Sequence, residues 1–164
     1  MAHIGLKKEC ELDQKLTPGV RVTVQIQSEA KKNIKGKVVS PHFPREEFGL
    51  YWGYEVRFCE NLSSVFTQSP FKGGYDLTIG TSERGDNVDQ VKEIPKFKHL
   101  LIVFGGVKGL EAALKADSNL DIDDPQPLFD LYFNTCPNQG SRTIRTEEAI
   151  LISLAALRPK IWNS

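Results

Sequence analysis

Three short apolar segments, each followed by a polar loop that contains glycine, constrain the fold of this chain most. They are YDLTIG (75–80), LLIVFGG (100–106) and PLFDLYFN (127–134), the last interrupted by Asp130. Strands without alternating polar residues are typical of parallel sheets that are covered on both faces. Helical composition follows the second segment in VKGLEAALKA and the third in EEAILISLAAL. The second half therefore predicts an α/β fold with a parallel sheet.

The last helix is predicted to be buried. Residues 149–157 are apolar except for Ser153, and a helix that is apolar nearly all round is normally covered on all sides. Thr143 or Thr146 can cap its start, two glutamates place negative charge in its first turn, and Pro159 is expected to end it. The polar loop before the helix would then lie beside the core.

The first half has the pattern of β structure. Apolar and polar residues alternate in VRVTVQIQ (20–27), which is the period of a strand with one buried face. KGKVVS (35–40) and GYEVRFC (53–59) follow with turn-rich connections. Short strands at this spacing predict a small barrel or sandwich.

The composition argues against several classes of function. The chain carries 21 Lys+Arg and 21 Asp+Glu, and zero net charge argues against a tail that binds nucleic acid by charge alone. Residues 1–72 hold a small excess of basic residues, so the first half is the better candidate for a polyanion-binding face. No apolar run approaches the roughly 20 residues that cross a bilayer, and the start lacks the apolar segment of a secretory signal. We expect an intracellular protein without a membrane partner.

No metal site is predicted. Cys10, Cys59 and Cys136 lie far apart and form no CxxC pair, so we interpret them as free thiols. Residues 117–128 resemble the opening of a calcium loop but lack its Gly and its closing Glu. The three histidines are scattered, so the spacing does not support a nucleophile–base pair with Cys136.

The loops after the apolar segments are the candidate binding site. Ligands of parallel sheets bind beyond the carboxyl ends of the strands, where loops converge. Those loops are GTSERG (80–85), FGGVKG (104–109) and NTCPNQGSRT (134–143). Gly105 and Gly106 would let the main chain approach a ligand and read a purine edge. Glycines in any single loop can also serve only to end a strand, but three such loops together favour a site.

The loops do not match the standard phosphate-binding motifs. FGGVKG differs from G-x-G-x-x-G, and G-x-x-x-x-G-K-[ST] does not occur. The pattern favours an adenosine-type ligand without a polyphosphate, with Arg84 or Arg142 pairing with a carboxylate. Either arginine could instead be a solvated surface charge.

Aromatic and basic residues are interleaved in PHFPREEFGLYWGY (41–54), which contains Arg45 and Trp52 and lies close in sequence to Arg57. Such side chains can stack single-stranded bases, or they can close a small barrel. The sequence supports both interpretations equally.

The strings YDLTIGTSERG, LLIVFGG and FDLYFNTCPNQGSRTIRTEEAILISLAAL resemble the C-terminal half of the SPOUT methyltransferases. More narrowly, the chain from about Lys7 to Leu157 is similar to the RNA methyltransferases whose α/β-knot domain carries an inserted OB-like barrel. The resemblance implies a lead-in at 1–17, the OB-like barrel at 18–72, and the C-terminal half of the methyltransferase domain at 73–164. It also implies a trefoil knot, an arrangement otherwise almost absent from proteins.

The resemblance implies S-adenosylmethionine as the cofactor, bound among the three loops. Carried onto matching positions, the cofactor site comprises Thr81, Arg84, Gly105, Gly106, Asn134, Thr135, Gln139, Gly140 and Ser141. Glu83 is the candidate proton acceptor, and Arg142 would grip RNA phosphate or orient the acceptor. Arg45, Trp52 and Arg57 are the candidate RNA-binding residues.

The resemblance further implies methyl transfer to an RNA nucleotide, a homodimer formed through the knotted region, and a nuclear or nucleolar location. Some relatives are associated with the mitotic spindle, so a spindle or kinetochore association is a further expectation. A non-catalytic RNA-binding or scaffold protein that keeps the fold is the alternative.

The family has further strands and helices before the inserted barrel, whereas MAHIGLKKECELDQKLTPG precedes it here. The chain thus resembles a family member without its N-terminal part. We expect partly uncovered apolar faces that favour self-association or low stability. Cofactor affinity would survive while RNA methylation would be lost.

Overall fold

The computed structural model describes residues 1–29 and 34–162, which fall into two compact units. The first unit is Met1–Val56, and the second begins at Arg57. The predicted candidate loops all lie in the second unit.

The first unit is a small mixed sheet with one short helix. Its elements are β1 (Cys10–Leu12), β2 (Thr23–Glu29), β3 (Ile34–Val39) and α1 (Phe43–Phe48). The strand order is β1-β3-β2, with β1 parallel and β2 antiparallel to β3. A Cβ at Gly36 would lie 2.7 Å from Cys10 Sγ, so only glycine lets β3 pass over the buried thiol. The three strands form an open sheet in the described part, and the closed OB-like barrel stays a prediction.

The strand predicted at 53–59 is wrong, because these residues have no regular structure. Tyr54, Val56 and Phe58 are 93%, 75% and 91% exposed, so their alternation does not mark a buried face. Gly53 turns the chain with a φ of 107°, which a side chain would disfavour. Apolar alternation forms a strand only where a neighbouring strand and a core face accept it.

The second unit is an α/β structure around a parallel sheet, as predicted. Its helices and strands are α2 (Leu62–Thr67), β4 (Leu77–Asn87), β5 (Leu100–Val103), α3 (Gly109–Lys115), β6 (Leu131–Asn134) and α4 (Thr146–Trp162), with short 3-10 turns at Val88–Gln90 and Gln126–Leu128. The order is β5-β4-β6, and both pairings are parallel. The central position of β4 explains why its first four residues are all buried.

Two apolar clusters form the core of the second unit within the described residues. One contains six buried residues from β4, the first 3-10 turn, the segment before β5, β6 and α4: Leu77, Ile79, Val88, Ile94, Phe133 and Leu157. The other contains Leu110 of α3 with Phe129 and Tyr132. Side chains of successive β6 residues enter different clusters, since strand side chains alternate between faces. The uninterrupted apolar strands therefore reflect burial from both sides.

Two aspartates connect the starts of neighbouring strands through hydrogen bonds. Asp130, which interrupts the third apolar segment, accepts hydrogen bonds from the N–H and hydroxyl of Thr78, each at 2.8 Å. Asp76 accepts the N–H groups of Lys98 at 2.7 Å and His99 at 2.6 Å. The bonds from Lys98 and His99 lower the pKa of Asp76. Polar residues at these positions thus fix the register of the parallel strands.

Two detailed predictions for the last helix are wrong, whereas the two glutamates, Glu147 and Glu148, do lie in its first turn as predicted. Its start is not capped by a threonine: Glu148 accepts the Arg145 N–H at 3.1 Å, as in a capping box. The helix also runs through Pro159 to Trp162. Proline removes one main-chain hydrogen bond. Because Pro159 and Ala155 are both exposed, water can bind the carbonyl that is left free.

Burial of α4 is limited to a narrow stripe. Ser153 and Leu157 are buried, whereas Leu151 is 72% exposed and Leu154 is 42% exposed. A three-stranded sheet covers only one side of a helix that packs on it, so the opposite side of α4 is exposed. No helix within the described ranges is both long and apolar enough to cross a membrane.

Candidate functional site

The carboxyl ends of the three parallel strands lie at one edge of the sheet, where the sequence predicts a site. Gly80 pairs with Val103 of β5 and with Tyr132 of β6, so the loops after these strands are neighbours. Side chains then link the loops directly. The Thr81 hydroxyl donates to the Val103 carbonyl at 3.0 Å, and Asn134 Nδ2 donates to the Glu83 carbonyl at 3.1 Å. The three predicted loops therefore form one structural group.

The first loop is an excursion within β4. Thr81 and Asp86 both pair with Phe133, so residues 82–85 are extra relative to β6 and project from the strand. Gly85 closes this excursion against the neighbouring main chain: a Cβ there would lie 2.5 Å from the Phe133 carbonyl carbon and 2.7 Å from Asn134 N. Polar side chains at 82–84 are thus held at the edge of the sheet.

The second loop combines a tight contact with an open position. A Cβ at Gly105 would lie 2.7 Å from the carbonyl carbon of Gly109, so these two glycines pack main chain against main chain. A Cβ at Gly106 would have no atom within 4 Å. Gly106 therefore has open space beside it for a ligand, while its carbonyl accepts the Gly109 N–H at 2.9 Å and closes the loop.

Helix α4 holds the second and third loops through two hydroxyl groups. Its first residue, Thr146, donates to the Gly105 carbonyl at 3.2 Å. The buried Ser153 hydroxyl lies 2.6 Å from the Thr135 hydroxyl in the third loop. The position of α4 thus determines the geometry of both loops.

The rest of the third loop is organised locally and is largely exposed. Asn134 Oδ1 accepts the Cys136 N–H at 3.0 Å, Gln139 Nε2 donates to the Ser141 carbonyl at 2.7 Å, and the Ser141 hydroxyl donates to the Thr143 carbonyl at 3.1 Å. A Cβ at Gly140 would meet open space. The loop therefore offers amide and hydroxyl groups at a surface that neighbouring chain does not fill.

Charged groups surround this edge. Arg84 Nη1 lies 3.3 Å from Glu111 Oε1, which connects the first loop to α3. Burial raises the pKa of the nearby Tyr132 phenol, against the effect of its hydrogen bond with Ser82. Glu83 and Arg142 are both exposed. In the described part of the chain, no acidic side chain forms a salt bridge with Arg142.

The predicted RNA-binding residues are divided between the two units. Arg45 and Trp52 belong to the first unit, where Arg45 Nη2 donates to the Gly53 carbonyl at 3.1 Å and Trp52 Nε1 donates to Thr23 Oγ1 at 3.2 Å. Arg57 belongs to the second unit and donates to the Val65 carbonyl at 3.0 Å. Its guanidinium is engaged at the end of α2, which gives Arg57 a local structural contact.

A broad groove of about 1750 Å³ lies within the first unit. Trp52 and Tyr51 line it with Arg45, and Tyr51 packs edge-on against Tyr54 with ring centroids 6.2 Å apart. Tyr51 and Trp52 are 72% and 55% exposed. The groove thus presents aromatic surface beside a guanidinium group.

Comparison with known proteins identifies the family. The family described as "Putative RNA methyltransferase" matches residues 1–157. The chain belongs to this RNA methyltransferase family. It is 59% identical over 160 residues to the Homo sapiens protein named 28S rRNA (uridine-N(3))-methyltransferase, which covers 96% of this chain and 42% of the human protein. Proteins of the same name are 58% identical in Mus musculus, over 97% of this chain and 42% of theirs, and 53% identical in Drosophila melanogaster, over 98% and 34%.

This member of the RNA methyltransferase family spans about two fifths or less of the length of these curated relatives. Membership implies a methyl donor and an RNA substrate for the family's reaction. Within the described residues, no three His, Cys, Asp or Glu side chains are grouped as a metal site.

Four residues at the site of this family member were not predicted from the sequence. Thr146, Ser153, Glu111 and Gly85 hold or shape the loops. Ser153 carried a usable signal, because it is the one polar residue in an apolar helix segment. Thr146 was expected only as a helix cap, and the sequence around Glu111 and Gly85 gives no signal for their contacts.

Proposed function

We propose that the chain is an S-adenosylmethionine-dependent RNA methyltransferase, or the cofactor-binding half of one, that transfers a methyl group to an RNA nucleotide. The observation that supports it most is the cross-linking of three loops at the carboxyl edge of a parallel sheet, in a chain that belongs to an RNA methyltransferase family. Ligands of parallel sheets bind at this edge.

The residues present fit S-adenosylmethionine. The adenosine part needs a close approach to the main chain and polar partners, which the open space beside Gly106 and the hydroxyls and amides of the third loop offer. The ligand has no phosphate, in agreement with loops that lack phosphate-binding motifs. We assign its contacts to the nine residues predicted from the sequence: Thr81, Arg84, Gly105, Gly106, Asn134, Thr135, Gln139, Gly140 and Ser141.

We also propose the finer architecture: a SPOUT-type trefoil knot around α4 and an OB-like barrel that includes the first unit. The contacts of α4 with two different loops support the former. The short mixed sheet of the first unit supports the latter.

The names of the relatives suggest N3 of a uridine in ribosomal RNA as the acceptor. Bound S-adenosylmethionine supplies a methyl group that is already activated by its sulfonium centre. When the new N–C bond forms and the S–C bond breaks, the N3 proton must leave. We assign acceptance of that proton to the exposed carboxylate of Glu83 and binding of RNA phosphate to Arg142. Loop rigidity then contributes to catalysis by placement of the acceptor.

The groove of the first unit is the proposed RNA surface. Exposed aromatic rings at Tyr51 and Trp52 can stack bases, and Arg45 adds a positive charge. Arg57 would contribute from the second unit only after releasing the Val65 carbonyl. An rRNA substrate would agree with a nucleolar location.

Calorimetric titration with S-adenosylmethionine tests the cofactor assignment. We expect binding heat for the chain and a clear loss of affinity for Asn134→Ala and for Gly106→Trp, which fills the open position. Gln90→Ala, an exposed amide in a 3-10 turn, is the matched control and should bind normally. The absence of binding heat in the unmodified chain would overturn the cofactor assignment.

Transfer of labelled methyl groups to 28S rRNA fragments tests the reaction, with this chain and with a longer version extended to the length of its relatives. We expect label on uridine N3 and a strong loss for Glu83→Gln. Label on another base or atom would refute the acceptor assignment.

A scaffold that binds RNA without catalysis is the second candidate, because the chain spans only part of its relatives and has an aromatic groove in the first unit. RNA binding without cofactor binding would favour it. An association with the spindle or kinetochore belongs to this candidate and stays a prediction.

A further inference from the structure

An ion pair stands at the rim of the three-loop site. Arg84 of the first loop and Glu111 of α3 are 3.3 Å apart, and their side chains are 72% and 27% exposed. The pair therefore places one positive and one negative group side by side, at the edge where the loops meet. Because the arginine is largely exposed, the pair contributes little to stability and a ligand can rearrange it.

The Glu111 side chain occupies the space beside Gly109. Gly109 has a φ of 74°, and a Cβ at this position would collide with the Glu111 carboxylate. The carboxylate therefore turns back over the start of α3, toward the second loop. A glycine at 109 leaves the room for this arrangement, in which the acidic group lies between the second loop and Arg84.

The pair has unused hydrogen-bonding capacity. A guanidinium has five N–H donors and a carboxylate has about four acceptor positions, whereas the ion pair uses one nitrogen and one oxygen. An α-amino acid group presents the complementary set: a carboxylate that suits Arg84 and, on the same carbon, an ammonium that suits Glu111. Charge-assisted bonds of this kind are the strong ones.

We infer that Arg84 and Glu111 bind the amino-acid end of an S-adenosyl ligand, with its carboxylate on Arg84 and its ammonium on Glu111. This rests on the proposed function and deepens it. The pair would select a zwitterionic tail over an uncharged or phosphorylated one, so it acts as the element that distinguishes S-adenosylmethionine and S-adenosylhomocysteine from other adenosine compounds.

Ligand truncation tests the inference. The affinities of S-adenosylhomocysteine and of methylthioadenosine, which lacks the amino-acid end, are measured by calorimetry for the unmodified chain, Arg84→Met, Glu111→Gln and the double variant. We expect each single substitution to weaken S-adenosylhomocysteine about tenfold or more. Methylthioadenosine affinity should stay within about twofold, since it makes no contact with the pair.

Arg145→Met and Glu147→Gln form the matched control, because Arg145 and Glu147 are an exposed Arg–Glu pair at the start of α4 with a separation of 4.0 Å. They should not alter either affinity. Arg84→Lys should restore part of the loss, and thermal unfolding checks that each variant folds.

Equal losses for both ligands would overturn the inference, because the pair would then support the whole pocket. Unchanged affinity for both would overturn it as well. If the unmodified chain bound methylthioadenosine but not S-adenosylhomocysteine, the adenosine pocket would be supported and the zwitterion subsite would be refuted. If it bound neither, the proposed function itself would fall.

Discussion

Two glycines at the site have opposite surroundings, so a substitution at one should affect folding and a substitution at the other should affect binding. At Gly85 a Cβ would lie within 2.7 Å of the main chain of Phe133 and Asn134, which cannot move without shifting β6. At Gly106 a Cβ would meet nothing within 4 Å. One glycine is therefore required by packing, and the other leaves a surface free.

We expect Gly85→Ala to lower the free energy of unfolding by about 1–3 kcal/mol, the usual cost of overpacking. Gly106→Ala should leave that free energy within about 0.5 kcal/mol of the parent, as for most surface changes, and should weaken S-adenosylmethionine. Denaturant unfolding and calorimetric titration of both variants measure the two effects. Equal stability of the two variants would contradict the close approach at Gly85.

The hydroxyl of Ser153 should position the third loop. Ser153→Ala leaves the partner hydroxyl of Thr135 without its hydrogen bond, which costs about 1–3 kcal/mol if that group stays buried. We expect lower stability and weaker cofactor binding, with partial rescue by Ser153→Thr. Denaturant unfolding and titration of all three chains measure this, and unchanged cofactor affinity in Ser153→Ala would refute the positioning role.

Among the elements, α2 and α3 are joined by one carboxylate. Asp117, just after α3, accepts the Ser63 N–H at 2.6 Å and the Asn119 N–H at 3.0 Å. Burial acts to raise the pKa of Asp117, but these hydrogen bonds outweigh it and hold the pKa below its usual value. The charged form of Asp117 is thus the form that the fold stabilises.

The lowered pKa of Asp117 predicts a pH dependence of stability. A carboxyl whose folded pKa lies below its unfolded pKa contributes stability above the unfolded value, and that contribution is lost as the pH falls through the folded value. We expect Asp117→Asn to be less stable than the parent at pH 7 and to show a smaller loss between pH 7 and pH 3. Denaturant unfolding at both pH values measures this. The exposed Asp121→Asn is the control, and a parental pH dependence in Asp117→Asn would contradict the assignment.

The three parallel strands were predictable because apolar strands without polar alternation are typical of sheets covered on both faces. Leu77 to Gly80 illustrate this, since all four are buried. The continuation of β4 through 82–87 was not predictable, because Ser82, Glu83 and Arg84 are typical of a surface loop. Pairing with β6 resumes at Asp86 and Asn87, so these three residues bridge two paired parts of β4, which is a property of the fold and not of the local sequence.

The candidate loops could be predicted from the sequence, but the contacts that hold them in place could not. Glycine and polar residues after apolar strands indicate a ligand site, and the resemblance to a known family supplied the residue choices. Contacts such as those of Thr146 with Gly105 and of Ser153 with Thr135 join residues 41 and 18 positions apart in the chain. A single sequence has no local pattern for such pairs.

At the scale of the whole molecule, α4 leaves a large apolar surface open. Leu151, Ile152, Leu154 and Trp162 are 72%, 38%, 42% and 83% exposed. Soluble proteins rarely leave such contiguous surface uncovered unless something binds to it. The expectation of a homodimer through this region stays a prediction, and this surface gives it a definite location.

We expect the chain to self-associate with rising concentration and Leu151→Glu to shift the equilibrium toward monomer, because a charge in the buried contact would lose its hydration. Sedimentation velocity over a range of concentrations measures the shift. Lys115→Ala, an exposed change on α3, should associate as the parent does. Because Ser153 and Thr146 lie on α4 as well, association should also tighten S-adenosylmethionine binding, and the Leu151→Glu chain should bind it more weakly at high protein concentration than the parent. A parent chain that stays monomeric throughout, or a variant that associates equally well, would show that α4 is not the contact surface.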